Sequence, residues 1–561
     1  MSRREPRRPR SGWHFLTARV AAHDRATRPA ARRRMLRALG LTVLAAVLAL
    51  PFALAWGVAH ARVDDYLGPH RAVITTDFSA SVEIDLGPLG NAYLPSPAAP
   101  IGVTIAIGGV GGTVAGNSLF SDETLSAYAA LYADPEEVIT GITERVVQSV
   151  IVHTARAELV IMLAVAIWLL RRRLLAPGLV RQISRRRVIM IWAGVSVLVV
   201  GSVLAPTPAP PTPRIPVEVN VAGAHLDLSV DNLLLSSLLT RGISGVELLS
   251  ERQLASVQAY VDTATASLST QLTRIPKPLA GETMLFGYSD LHCNQATTTL
   301  MERLVAVTDP SVVLSSGDDT VHGTAAERGC ITREVGIAGG RPLLVSPGNH
   351  DSAVTAQQMS AAGMIVMNGK PVKVAQAGIT VLGDTDPEHN IPFSVDRVMT
   401  RPETEEQLGQ RLVSVATASP VDVIMVHQPA ASAPIMATPD LPARLVLWGH
   451  MHAQAGPYVV KHADGSWTVG MQQGTAGGVK QPTITSFSTP FSPPLVRADC
   501  YFYFRDNATG LITSVQPVHF QTDGTVEIAA RIETGRLGEI PTETLERLRG
   551  STPSPTPEPA R

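Results

Sequence analysis

The sequence has no excess of charge of either sign. Its 47 lysine and arginine residues stand against 48 aspartate and glutamate residues, which gives a formal net charge of -1. Because no global positive field would attract polyanions, nucleic acid is not expected as a partner. A basic stretch within residues 1–38 is a local exception. We interpret it as a solvated cytoplasmic tail that meets anionic lipid rather than as a nucleic-acid-binding arm.

Cysteine is also scarce, with only Cys293, Cys330 and Cys500 in 561 residues. The chain is therefore not a small scaffold stapled by disulfides, and its length allows two or three domains. Hydrophobic residues make up 45% of the sequence, which fits a protein with both globular and membrane parts.

Long apolar runs predict the membrane parts. Residues 39–58 and 188–205 are uncharged and apolar over about the 20 residues that cross a bilayer. A third run, within residues 150–170, is weaker because full length requires His153, Arg156 and Glu158. We expect about three transmembrane helices in a multi-pass protein of the cell membrane.

Basic residues predict the orientation. Arginines cluster in residues 1–38 and again in residues 171–187, and both segments are cytoplasmic only if the run at 150–170 crosses. Residues 59–149 and the chain after residue 206 then lie outside. A cleaved signal peptide ending near Ala59-His60-Ala61 is the alternative for the first span, and it also leaves the carboxyl-terminal part outside.

The remaining segments differ in composition. Residues 59–149 contain short alternating runs and predict a small β-rich extracytoplasmic module. Residues 206–280 begin with prolines and predict a stiff spacer and linking region, whereas residues 536–561 predict a disordered tail. The run at residues 217–223 resembles that at residues 81–87, so a duplicated element is conceivable.

From Met284 onward, short apolar runs each end abruptly in polar residues, with helix-like stretches between several of them. Buried strands of a layered α/β domain have this pattern, and ligands collect where such strands end. The polar residues at these ends are Asp290, His292, Asp318, Asn349, His350, His427, His450 and His452. Each alone is more typical of a turn, a helix cap or a structural histidine. Together they are the oxygen and nitrogen donors that suit divalent metals such as Mn, Fe or Zn.

These clusters resemble the calcineurin-like metallophosphoesterase superfamily, whose pattern is DxH, GD, GNH with a following acid, a single His, and GHxH. All five blocks are present, as Asp290-Leu291-His292, Gly317-Asp318, Gly348-Asn349-His350-Asp351, His427 and Gly449-His450-Met451-His452. The resemblance implies a layered α/β/β/α sandwich over residues 281–535 that binds two divalent metal ions. One ion is assigned to Asp290, His292, Asp318 and His452, and the other to Asp318, Asn349, His427 and His450, with Asp318 as the bridge.

The resemblance also implies catalytic roles for His350 and Asp351. In the family this histidine faces the departing oxygen, and Asp351 is placed to orient its imidazole, as carboxylates behind a histidine often do. The alternative for Asp351 is a cap for the helix that follows.

Departures from the family pattern narrow the substrate. The third block reads GNHD. The GD block reads GDDTVHG, and the next arginine is Arg328. Both features argue against a phosphoprotein phosphatase, and phosphodiesters, nucleotides and lipid head groups remain as candidate substrates. Asp319, His322 and Arg328 either line the site or belong to a solvated loop. Residues 474–478, GTAGG, are either the glycine-rich turn of some relatives or an ordinary turn.

The expected function is two-metal hydrolysis of a phosphate ester, a diester or a monoester, by an extracytoplasmic domain anchored to the membrane. The alternative is a catalytically silent sensor or binding protein of the same fold, against which the complete ligand set argues. A nuclease is disfavoured because a basic groove is missing. In an oxidising compartment, Cys293 and Cys330 should lie in loops at the same edge of the sheet, and we predict that they form a disulfide.

Overall fold

A computed structural model describes residues 36, 39–40, 42–68, 70–86, 90–110, 135–175, 215–221, 224–391, 397–480 and 492–550. The predictions for most of the basic tail, for residues 176–187 of the basic loop, for the span at 188–205 and for the prolines at 206–214 lie outside these residues. Helices and strands are numbered along the chain.

Two long apolar helices precede the globular part. Helix α1 covers Thr42–His60, and helix α2 covers Pro135–Leu175 and contains the span predicted at residues 150–170. Both are long and apolar enough to cross a membrane, with mean hydropathies of 2.1 and 2.0. The carboxyl end of α1 packs on α2, because a Cβ at Gly57 would lie 2.8 Å from the Val150 carbonyl oxygen.

A seven-stranded sheet follows α1, in the order β1-β2-β5-β3-β4-β7-β6. Its strands are β1 Arg62–Leu67, β2 His70–Asp77, β3 Ser81–Asp85, β4 Asn91–Pro95, β5 Gly102–Val110, β6 Ile215–Val221 and β7 Ala224–Val230. The segments suspected of duplication are β3 and β6. Each begins a hairpin, and the two hairpins adjoin through the antiparallel pair β4 and β7.

The predicted spacer at 206–280 differs from the structure. From Ile215 onward it forms β6, β7 and the 38-residue helix α3, Leu233–Thr270, with the side chain of Asn232 accepting a hydrogen bond from the Leu235 amide as its N-cap. Ala264 and Val261 of α3 are buried in the core of the following domain. Because the segment begins with prolines, its composition suggested a spacer and not the amphipathic helix, which belongs to that domain.

Two sheets form the centre of the carboxyl-terminal domain. The first has the order β11-β10-β9-β8-β20-β21-β22 with β23 on β21, and the second has the order β12-β13-β16-β17-β19-β18. The first contains β8 Glu282–Tyr288, β9 Val312–Ser315, β10 Leu343–Val345, β11 Ile365–Val366, β20 Ala498–Asp506, β21 Ile512–Phe520, β22 Val526–Ile528 and β23 Ile532–Glu533. The second contains β12 Val372–Val374, β13 Ile379–Gly383, β16 Val423–Met425, β17 Leu445–Trp448, β18 Ala455–Lys461 and β19 Trp467–Gln472. A separate hairpin pairs β14 Glu388–Asn390 with β15 Arg397–Met399.

Three buried clusters define the layers. Leu285 and Leu314 of the first sheet share one core with Met425 and Leu447 of the second, so the sheets pack face to face. The outer face of the first sheet is covered by α3 to α6, and that of the second by α7 to α9. These helices are α4 Gln295–Thr308, α5 Arg328–Ala338, α6 Ala353–Ala361, α7 Glu405–Ala418, α8 Pro429–Met436 and α9 Thr542–Gly550. The order of layers is α/β/β/α.

The tail predicted to be disordered over 536–561 is folded as far as residue 550. Helix α9 lies within it, and Leu548 is buried against α8 and the second sheet. Apolar residues at positions 545 and 548 give this helix one face to bury, a pattern that the proline-rich residues after it obscured.

Candidate metal centre

The polar residues identified in the sequence follow the carboxyl ends of parallel strands. Strands β8, β9 and β10 run parallel in the first sheet, as do β16 and β17 in the second. The carboxyl ends of parallel strands meet at one edge of a sheet, so the loops after them converge. The seven predicted ligands, Asp290, His292, Asp318, Asn349, His427, His450 and His452, come from these five loops.

Several of these residues have left-handed backbone. Nine non-glycine residues of the described chain have positive φ, and five of them are predicted ligands: Asp290, His292, Asp318, His450 and His452. This conformation is disfavoured for residues with a Cβ and tends to be held by the surrounding structure at functional sites. The folded loops therefore fix these side chains rather than let them swing.

The side chains form two groups. Asp290, His292 and His452 offer donor atoms within 4.8 Å of one another, and so do Asp318, His427 and His450. Asn349 joins the second group, because its Oδ1 lies 2.9 Å from His450 Nδ1.

Asp318 lies between the two groups. Its Oδ2 is 3.0 Å from His427 Nε2 and 4.0 Å from His292 Nε2. Its Oδ1 accepts a hydrogen bond from the His350 backbone amide at 2.8 Å. One carboxylate oxygen thus faces both groups while the other holds the side chain in place.

Backbone carbonyls orient three of the histidines. Nδ1 of His292 faces the Thr320 oxygen at 3.2 Å, Nδ1 of His427 the Ser316 oxygen at 2.9 Å, and Nδ1 of His452 the Val479 oxygen at 2.8 Å. A ring that donates through Nδ1 presents Nε2 as a potential ligand. Each Nε2 faces the site.

The donors fit divalent metals. The Nε2 atoms of His292 and His452 are 3.1 Å apart, and Asp290 Oδ1 lies 3.4 Å from that of His452, so three donor atoms converge at one place. His427 Nε2 is buried and faces the Asp318 carboxylate at 3.0 Å. Imidazole nitrogens with carboxylate and amide oxygens suit Mn, Fe or Zn.

Comparison with known proteins identifies the family of one segment of the chain. The segment from residue 286 to residue 454 matches the model of the calcineurin-like phosphoesterase family. The resemblance carried by the five motifs is thereby confirmed, and we call the surrounding α/β/β/α unit the phosphoesterase domain.

Solved structures with similarity to this chain include an NAD nucleotidase of Haemophilus influenzae, at 11% identity and a TM-score of 0.26, over 49% of this chain and 55% of that chain. The protein TT1561 of Thermus thermophilus has 10% identity and a TM-score of 0.28, over 43% of this chain and 99% of its own. A dimetal phosphatase from Danio rerio has 11% identity and a TM-score of 0.22, over 45% and 97%. This chain thus spans about half the length of the nucleotidase. A search of curated proteins gave no match.

The electrostatics of the site suit metal ligands. Burial lowers the pKa of His292 and of His450 to about 3, so both rings are neutral. Burial also lowers the pKa of His427, but the Asp318 carboxylate outweighs it and raises that pKa to about 10. The pKa of Asp318 is held well below its ordinary value, since His427 and His350 outweigh the effect of burial. A proton or a cation is therefore required between Asp318 and His427.

His350 lies beside the two groups. Its Nδ1 faces the Val321 oxygen at 2.6 Å, and its Nε2 lies 2.8 Å from Asn390 Nδ2. Its ring stands perpendicular to that of His292, with centroids 4.9 Å apart. The sequence did not reveal Asn390, which reaches His350 only because the β14–β15 hairpin folds over the site.

Asp351 does not orient the His350 ring. Its carboxylate accepts hydrogen bonds from the backbone amides of Gly348 at 2.9 Å, Asp318 at 2.9 Å and Thr320 at 2.9 Å. The helix-cap alternative is wrong as well, because Ser352 is the N-cap of α6. Asp351 ties the GNHD loop to the loop that contains Asp318, a contact between Asp351 and Thr320, 31 residues apart, that sequence spacing cannot show.

Asp319, His322 and Arg328, the residues after the GD block that could line the site, lie in different environments. Asp319 is buried, and its carboxyl group hydrogen-bonds Ser315 and Glu334, with burial raising its pKa well above the ordinary value. His322 is half-buried, and burial lowers its pKa. Arg328 pairs with Glu137 and Glu144 of α2.

The glycine-rich turn at residues 474–478 supports the first ligand loop. Thr475 Oγ1 donates to the Asp290 carbonyl at 2.8 Å, and the Gly477 amide donates to the same oxygen at 3.0 Å. A Cβ at Gly477 would lie 2.1 Å from the Leu291 oxygen. Glycine is therefore required for this close approach.

Cys293 and Cys330 form the predicted disulfide, with a Cα separation of 5.0 Å. Cys293 directly follows His292, a predicted ligand, and the bond closes a loop over a sequence separation of 37 residues. Cys500 is free and buried.

We expect the paired substitution Cys293→Ala and Cys330→Ala to lower the free energy of unfolding by about 2–4 kcal/mol, since a loop of this length restricts the unfolded chain. Thermal unfolding of the two proteins, with and without reductant, checks this. Reductant should lower the midpoint of the wild type and leave that of the double variant unchanged. Alkylation of all three cysteines in the unreduced wild type would contradict the bond.

Proposed function

We propose that the chain hydrolyses a phosphate ester at a two-metal site in the phosphoesterase domain. The observation that carries this proposal is the convergence of two donor groups on Asp318, whose Oδ2 faces His427 at 3.0 Å and His292 at 4.0 Å. Asp290, His292, Asp318 and His452 would hold one ion, and Asp318, Asn349, His427 and His450 the other.

Two divalent ions held there supply Lewis-acid polarisation of a phosphate ester and activation of water. The chain's own residues provide the alignment. Backbone carbonyls hold the rings of His292, His427 and His452, so the donors need no rearrangement when metal binds.

His350 is proposed to protonate the departing oxygen. It is not among the ligands, yet its neighbour Asn349 is, so its ring lies beside a phosphate bound at the metals. Val321 and Asn390 fix the ring at both nitrogens, and only 8% of His350 is exposed. For this step Nε2 must carry a proton and face the ester, so the Asn390 amide that donates to it must move aside when the substrate binds. Asp351 acts only by shaping the loop that carries His350.

The substrate class is a phosphodiester or phosphomonoester such as a nucleotide or a lipid head group. The test is an assay of the full-length chain in detergent with Mn, Fe or Zn on mono- and diester reporters. Metal-dependent turnover that is lost with chelator supports the proposal. Stoichiometric metal binding without turnover of any ester would instead favour a silent binding protein.

We further propose that the domain is extracytoplasmic and is anchored to the membrane. Two helices of sufficient length and hydropathy support an anchor. Basic residues flank the predicted spans at 1–38 and 171–187. The Cys293–Cys330 bond fits an oxidising compartment.

Reporter fusions test this topology. Fusions after residue 120 and after residue 220 are expected to report an outside location, and one after residue 180 an inside location. A cytoplasmic reporter after residue 220 would overturn the orientation and assign the enzyme to cytosolic substrates.

A further inference from the structure

The loop of residues 320–330 contacts both His292 and His350. The Thr320 oxygen faces the His292 ring, and the Val321 oxygen lies 2.6 Å from Nδ1 of His350. Any shift of Val321 therefore turns the His350 ring. Thr320 is held separately, because Asp351 accepts from both its amide at 2.9 Å and its hydroxyl at 2.8 Å.

Glu327 links the second half of this loop to Val321 through hydrogen bonds. Its partly buried carboxylate accepts from the amides of Val321 at 2.7 Å, His322 at 3.0 Å and Thr324 at 2.7 Å. The carboxylate thus ties the backbone of residues 321–324 to Glu327, and we refer to residues 321–328 as one unit.

The amino-terminal half of the chain contacts this unit at three points. The Ala325 amide donates to Asp65 of β1 at 3.3 Å. On α2, Arg328 pairs with Glu137 and, through Nε at 3.3 Å, with Glu144. Between these two acids, Gly141 of α2 lies so close to the loop that a Cβ there would be 2.2 Å from the Ala325 oxygen.

We propose that α2 and the amino-terminal sheet are positioning elements for the reaction, which hold residues 321–328 so that the Val321 oxygen fixes the ring of His350. Asp65, Glu137, Gly141 and Glu144 are the positioning residues. This rests on the proposed hydrolysis and on the proposed role of His350. Residues 59–149 and α2 are then parts of the catalytic apparatus as well as the link to the membrane.

The decisive variant is Gly141→Ala in the full-length protein. Its methyl group forces the Ala325 backbone to move, because a carbonyl oxygen cannot approach a Cβ to 2.2 Å. We expect kcat for an alkyl phosphate ester to fall by roughly tenfold to a hundredfold, the loss that follows misplacement of a catalytic group by about 1 Å. An activated nitrophenyl ester should lose much less, KM should change little, and metal content should stay the same because Asp351 still holds Thr320.

Gly245→Ala is the matched control. Gly245 also lies within a long helix, α3, but a Cβ there meets nothing within 4 Å. Both variants add one methyl group to a helical glycine, so the difference between them isolates the contact with Ala325. Wild-type rates are expected for Gly245→Ala.

A double-mutant cycle separates positioning from a general loss of structure. If α2 acts through His350, Gly141→Ala should cause no further loss of rate in a His350→Ala background. If the two effects were independent, the two losses of rate would multiply. Should Gly141→Ala not fold, the isosteric pair Glu137→Gln and Glu144→Gln removes the partners of Arg328, and a smaller loss with the same preference for the alkyl ester is expected. Equal rates for Gly141→Ala and Gly245→Ala, or multiplicative losses in the cycle, would overturn the inference. Absence of turnover in the wild type would instead remove the proposed function itself.

Discussion

Asp318→Asn is expected to lose both metals and, with them, about a thousandfold or more of the hydrolytic rate, while the domain stays folded. Oδ2 of Asp318 faces both donor groups, at 3.0 Å from His427 and 4.0 Å from His292. An amide at this place carries no charge, so neither ion keeps its shared anionic ligand.

The fold should survive this substitution. Asparagine tolerates the left-handed backbone that Asp318 adopts at φ 57°, and its carbonyl oxygen can still accept the His350 amide. Elemental analysis of the purified variant measures the metals, and circular dichroism measures the fold.

Asp319→Asn is the matched control for this variant. Asp319 is the next residue and is equally buried, but its carboxyl group hydrogen-bonds Ser315 and Glu334. Burial raises its pKa well above the ordinary value, and an asparagine amide has nearly the same shape as the carboxyl group. Two metals should remain in Asp319→Asn. Two metals in Asp318→Asn as well would refute the bridging role.

His350→Ala is expected to slow hydrolysis of an alkyl or sugar phosphate ester by about a hundredfold or more, and that of a nitrophenyl ester much less. A nitrophenolate departs readily without a proton, whereas an alkoxide does not. Metal content should be unchanged, since the ligand beside it is the side chain of Asn349, which contacts His450 and not His350. Steady-state kinetics on both esters, with elemental analysis, provide the measurement.

His462→Ala is a suitable control, because this histidine lies in the turn between β18 and β19 and contacts Arg444 and Thr468. It should leave both rates unchanged. If His350→Ala slowed both esters equally, His350 would act on the charge of the phosphoryl group instead of on the departing oxygen.

The convergence of the donor residues could be predicted because the fold leaves little freedom in where strand ends meet. Residues that follow parallel strands collect at one edge, so Asp290, Asp318 and His427 could be placed together from their positions after apolar runs. The disulfide was predicted on the same ground, since Cys293 and Cys330 belong to loops at that edge. The motif pattern added which donors share an ion.

Other features depend on contacts between distant segments, and local sequence does not encode these. Two amides that donate to Asp351, those of Asp318 and Thr320, belong to a loop more than 30 residues away, and one partner of His350 is Asn390 on a separate hairpin. The contact of Gly141 with Ala325 joins segments nearly 200 residues apart. In α3, the apolar face that packs on the first sheet follows a proline-rich stretch, so composition alone suggested a spacer.

The central claim is that two metals bind around Asp318, and anomalous X-ray diffraction from crystals grown with Mn tests it most directly. The account predicts two anomalous peaks about 4 Å apart. One should lie among Asp290, His292 and His452, the other among Asn349, His427 and His450, with the Asp318 carboxylate shared by both. A single peak, or peaks away from these side chains, would contradict it.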